Sequence, residues 1–156
     1  MIKSIISNIK ELRKPCEEVK KDENIKDIIQ DLKDTLATKK GYALAANQIG
    51  INKKIAYCKI PKLNMQEKKL EYSEYVLINP KIVEKERKYI HKQEGCLSFP
   101  GLRIDTDRYV FIVVQFLNEN FQPQTAVMQD LEAAIVQHEC DHIEGRTIFD
   151  RKHKRR

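Results

Sequence analysis

A chain of 156 residues, 41% hydrophobic and 33% charged, has the size and balance of one globular domain that buries roughly two-thirds of its unfolded surface without disulfides. No apolar run approaches the roughly 20 residues of a membrane span, and Met1-Ile2-Lys3-Ser4-Ile5-Ile6 turns polar too early for a signal peptide, so a cytoplasmic location is expected. The net charge of +6 is concentrated at one end: Arg151-Lys152-His153-Lys154-Arg155-Arg156 carries +5, and with few aromatic residues to stack on bases, neither a DNA-binding face nor a membrane partner is expected.

In chain order, the first predicted element is an amphipathic helix over Asn24–Lys39. Ile25, Ile28, Ile29, Leu32 and Leu36 recur at helical spacing, Asn24 can cap the start and Gly41 follows the end. The texture then changes to strands, at Ile55–Ile60, Tyr75–Ile78, Ile82–Ile90 and Tyr109–Leu117, with the polar stretch Pro61–Glu74 read as a mobile hairpin or loop. A second helix is predicted over Asp130–Glu144, with Asp130 near the N-cap and Gly145 past the end. One helix, a run of strands and one helix predict an α+β fold: mostly antiparallel β-sheet around a central helix, plus one N-terminal helix. Residues 1–150 are expected to form a single catalytic domain, and 151–156 a disordered basic tail.

The second helix carries His138-Glu139-Cys140-Asp141-His142, an HExxH pattern. At about 100° per residue from Leu131, Ile135 falls near 40°, His138 near −20° and His142 near 20°. Both imidazoles therefore share the stripe expected to face the core, one turn apart, where they can grip one metal ion. Glu139, near 80°, stands beside that point and can reach the open coordination position; Cys140, near 180°, points away and is excluded as a ligand; Asp141, near −80°, is expected to support the site from behind. A catalytic site usually takes three protein ligands, and so few residues follow His142 that the third is expected upstream. Cys16, Cys58, Cys96 and Cys140 contain no CxxC pair and suggest no disulfide framework.

Upstream stand Gly41-Tyr42-Ala43-Leu44-Ala45-Ala46-Asn47-Gln48 and Glu94-Gly95-Cys96-Leu97-Ser98. With the His-Glu-Cys-Asp-His run, in this order, they resemble the three signature motifs of the peptide deformylase family (GxGxAAxQ, EGCLS and HExDH). Leu12-Arg13-Lys14-Pro15 and Ile78-Asn79-Pro80 resemble further stretches of that family, so the resemblance spans nearly the whole chain.

The resemblance implies a metal-dependent hydrolase that removes the formyl group from the N-terminal formylmethionine of nascent polypeptides. It implies Cys96, His138 and His142 as metal ligands, Glu139 as the general base, and the Gln48 amide with the Leu97 backbone N–H as donors to the developing oxyanion. The backbone of Tyr42, Ala43 and Gly95 is implied to lie beside the formyl-methionyl peptide as an added strand, with Arg103 assisting. One divalent ion is expected, iron(II) favoured, with zinc, nickel or cobalt compatible with the same donors. A monomer acting on N-formylmethionyl peptides is expected. Two departures stand out. Ala43 occupies a usual glycine position, and the family's frequent further C-terminal helix, which contacts the ribosome, is lacking; the basic tail is expected to supply a weak, salt-sensitive ribosome contact instead. A zinc endopeptidase of the HExxH type would leave Cys96 unexplained, and a peptide-binding module without activity would leave Glu139 unexplained.

Overall fold

The computed structural model describes residues 1–154. Its elements are helices α1 (Ile9–Leu12), α2 (Lys26–Ala37) and α3 (Asp130–Ile143), strands β1 (Ala43–Ala45), β2 (Ile55–Asn64), β3 (Lys69–Glu94), β4 (Ile104–Leu117) and β5 (Pro123–Gln129), and 3-10 turns at Ala46–Ile49 and Ile148–Arg151. The strands form a five-stranded antiparallel sheet in the order β1-β2-β3-β4-β5, so the fold is α+β. No helix among the described residues is long and apolar enough to cross a membrane.

Helix α2 lies within the predicted span. Its buried stripe of Ile29, Leu32 and Leu36 packs with Leu44, Ile49, Ile55 and Ile78. Ile25, and not Asn24, occupies the cap position, although Asn24 Oδ1 accepts from Lys26 N at 3.4 Å. Of the two readings of the polar stretch Pro61–Glu74, the structure shows the hairpin: β2 and β3 remain in register from Ile60↔Ser73 to Asn64↔Lys69, joined by a turn. Its exposed and half-exposed residues leave no apolar alternation to read, yet the backbone ladder continues.

Tyr75–Ile78 and Ile82–Ile90 belong to one strand. Asn79 (φ 49°) and Pro80 mark the irregularity between Ile78 and Lys81, just where β3 exchanges its partner β2 for β4. The Asn79 side chain holds the incoming N-terminal segment like a short strand, accepting from Val19 N at 2.9 Å and donating to Val19 O at 2.9 Å. Strand β5 and helix α1 were not expected; β5 is mostly exposed and reads as polar linker.

Helix α3 begins at Asp130, which has φ 56° and lies inside the helix, while Gln129 takes the cap position without a side-chain bond. Gly145 (φ 76°) ends it as expected, donating to His142 O at 3.0 Å. The stripe expected to face the core lines a cleft at Leu131, 42% exposed, while half-buried Ile135 lines that cleft and also packs against the core. The fully buried core contacts come from the other side, where Ala133, Val136, Cys140 and Ile143 join Leu77, Ile112, Val114 and Met128. A helix covered on most of its surface has no single apolar face, so its periodicity misleads.

The chain end is held against the sheet and α3 over Arg151–His153, where disorder was expected. Lys152 bridges to Thr106, His153 N donates to Asp105 O at 2.8 Å, and His153 Nδ1 lies 2.7 Å from Asp107 Oδ1. Arg155 and Arg156 of that predicted tail lie outside the described residues.

Candidate metal centre

One turn of α3 separates His138 from His142, and their Nε2 atoms lie 3.1 Å apart. Cys96 enters from the turn after β3, placing Sγ 3.4 Å from His142 Nε2. The three candidate donor atoms all fall within 4.8 Å of one another. A tetrahedral ion with ordinary zinc-type bonds to nitrogen and sulfur separates such donors by about 3.3–3.6 Å, and the two distances from His142 Nε2, 3.1 and 3.4 Å, come within a few tenths of an ångström of that spacing.

Protonation gives a second test of fit. His138 Nδ1 lies 2.9 Å from Glu94 Oε2. Burial opposes ionisation of Glu94, but the Arg108 guanidinium and His138 outweigh it and hold the carboxyl well below the usual range. An ionised carboxylate only accepts, so His138 carries a proton on Nδ1; burial opposes its charge, but Cys96 and Glu94 hold its ionisation well above the ordinary imidazole range, so an ion binding at Nε2 would displace a proton there. Burial keeps the His142 imidazole neutral, well below its ordinary value. Convergent imidazole nitrogens beside a thiol suit a divalent ion of borderline softness.

Glu139 lines the cleft beside these donors at 1% exposure, and its Oε2 has no hydrogen-bond partner among the described residues. Burial pushes its carboxyl up to about 7. A buried, unpartnered carboxyl is costly unless it works as a proton carrier near neutral pH. Cys140 packs in the core on the far side of the helix, away from the donors. Asp141 does support the site from behind, accepting from Arg108 Nη1 at 2.6 Å and from Arg151 Nε and Nη2 at 3.1 and 2.9 Å.

Gln48 rides on the 3-10 turn after β1 at 1% exposure. Its Oε1 accepts from Ala45 N at 3.0 Å, which turns Nε2 towards Ser98 Oγ at 3.0 Å and Cys96 Sγ at 3.7 Å. Asn47 pins the turn to α3, donating to His142 O at 2.8 Å. Tyr42, Ala43, Gly95, Leu97 and Arg103 line the same cleft of about 690 Å³, together with Gln48, Cys96, His138 and Glu139. A Cβ on Gly41 would fall 3.0 Å from Leu97 Cδ1, and one on Gly95 would fall 2.5 Å from Arg103 Nη1. Glycine at these two positions lets the walls approach closely.

Sequence reasoning missed Arg108. Only 2% exposed, it donates from Nε and Nη2 to Glu94 at 2.9 and 2.7 Å and from Nη1 to Asp141, joining the residue behind His138 to the residue before His142. The available signal was an arginine at a buried position of a β-rich strand, which requires acidic partners.

An α+β fold that gathers a thiol, two imidazoles and a buried carboxyl in one cleft defines a candidate metallohydrolase. The family model described as polypeptide deformylase matches residues 3–156. The peptide deformylase of Aquifex aeolicus (strain VF5) is 41% identical over 142 residues, covering 90% of this chain and 80% of that protein. That of Elusimicrobium minutum (strain Pei191) is 39% identical, covering 79% and 69%. Among solved structures, the peptide deformylase from Ehrlichia chaffeensis in complex with actinonin superposes with a TM-score of 0.87 at 34% identity, covering 98% of this chain and 90% of that one. The chain belongs to the polypeptide deformylase family, and its activity is that of the family: hydrolytic removal of the formyl group from the N-terminus of nascent polypeptides. The endopeptidase alternative is thereby set aside.

Proposed function

We propose that Cys96, His138 and His142 hold one divalent ion, iron(II) by preference, within a single catalytic domain, and that Glu139, Gln48 and Leu97 perform the deformylation. The convergence of three donors from two separate elements beside an unpartnered buried carboxyl carries this reading. The bound ion would supply Lewis acidity towards water and the formyl oxygen.

The chain's own residues supply the rest. Glu139 takes the proton of the attacking water as its oxygen bonds to the formyl carbon. Negative charge then grows on the formyl oxygen, where Gln48 Nε2 and the Leu97 N–H donate. Gln48 is held for this by Ala45 and Ser98, so little reorganisation is needed. Glu139 returns the proton to the departing nitrogen as the C–N bond breaks, and formate and a free amine result. The peptide lies as an added strand along the outer edge of β1, between Tyr42–Ala43 and Gly95, with Arg103 at the rim. Ala43 narrows that approach by one methyl group.

Protein purified without air and loaded with iron(II) is expected to release formate from formyl-Met-Ala; no formate with a fully loaded centre would contradict the reading. A salt-sensitive ribosome contact through the basic end belongs to the same proposal. Since Arg151 is committed to Asp141 and His153 to Asp107, Lys152 and Lys154 are the described cations left to make it.

A further inference from the structure

β1 runs towards Gln48, and the chain enters it from Lys39 and Lys40 through Gly41 and Tyr42. A peptide on its outer edge with the formyl end beside Gln48 must therefore run antiparallel to β1, away from the centre. At roughly 3.4 Å per residue, its second and third residues after the methionine run out past Tyr42 and Gly41 towards the bend at Lys39 and Lys40, whose long side chains line the same cleft. From the opposite wall, the Arg103 guanidinium lies over Gly95.

Lys39, Lys40 and Arg103 are exposed and line this one cleft. The acids among the described lining residues are Glu94 and Glu139, 7% and 1% exposed. Glu94 is already engaged by Thr106, Arg108 and His138. The charge facing solvent along the outgoing peptide is thus of one sign. Scattered surface lysines need no explanation, but here cations from both walls converge on a single path.

We propose that this enzyme selects formylmethionyl peptides whose second and third residues after the methionine are acidic. The inference rests on the added-strand placement of the peptide described above. Exposed charge pairs contribute roughly 1.5- to fivefold each at low salt, so the combined preference for an acidic over a basic peptide is about tenfold. It shrinks as salt screens the contacts.

The test compares kcat/KM for formyl-Met-Ala-Glu-amide, formyl-Met-Ala-Gln-amide and formyl-Met-Ala-Lys-amide, the amides removing the free carboxylate. The expected order at low ionic strength is Glu, Gln, Lys, over about tenfold and mainly in KM, collapsing near about 0.5 M salt. In Lys39→Gln/Lys40→Gln the Glu-to-Lys ratio is expected to fall to about twofold; as a ratio within one variant, it is independent of how much folded enzyme is present. Equal rates with the three peptides, a preference for lysine, or an unchanged ratio in the double variant would overturn the proposal while leaving deformylation standing. No formate from any of them contradicts the deformylase activity itself.

Discussion

Glu139 is one residue from His138 in sequence, and burial above all separates its chemistry from that of a surface glutamate. Glu139→Gln preserves shape and the donor set but removes the proton carrier, so the variant is expected to retain its metal and lose about 100- to 10,000-fold in formate release; activity within a few-fold of wild type would show that another group moves the proton. Arg108 acts at the same scale through Glu94 and Asp141. Arg108→Met leaves the buried Glu94 without its guanidinium and Asp141 with Arg151 alone, and thermal unfolding is expected to report a loss of about 3–5 kcal/mol. Unfolding at the wild-type temperature would contradict that weight. The HExxH pair and Glu139 were legible because a helical wheel is local geometry. Arg108 was not, since its partners arrive from Glu94 and Asp141, 14 and 33 residues away along the chain.

Among elements, α3 and the turn after β3 must be held in register for the donors to meet. Asn47 fastens His142 O, and Gly145 lets the chain leave the helix against Arg13. Gly145→Ala meets both a positive φ of 76° and a backbone oxygen 2.6 Å from the new methyl. A loss of about 1–3 kcal/mol is expected, measured by denaturant unfolding, with metal affinity falling if the strain displaces His142. Both long helices were legible, from the stripe of α2 and from the histidines and the closing glycine of α3. The β2–β3 hairpin was one of two readings left open for Pro61–Glu74, because that stretch is polar and offers no apolar alternation to decide between hairpin and loop. The orientation of α3 was legible only in part: Leu131 and Ile135 line a cleft, and of the two Ile135 also packs against the core.

For the whole molecule, the sheet and α3 bring side chains from segments 41–48 and 94–103 together with His138 and Glu139 at one cleft, with buried His142 behind them. The three motifs were legible as separate strings, and their order carried the family resemblance, but their meeting is a product of topology. The chain end was misread because its charge looked solvated, whereas Arg151 and His153 close onto Asp141 and Asp107. An upstream sulfur completing a site whose other donors lie on one helix is the central claim, and it makes the ion a link between distant parts of the chain. The direct measurement is metal content per chain in wild type and Cys96→Ala, both purified without air. The account predicts close to one ion in wild type and little in the variant; a variant that keeps its full complement would contradict it.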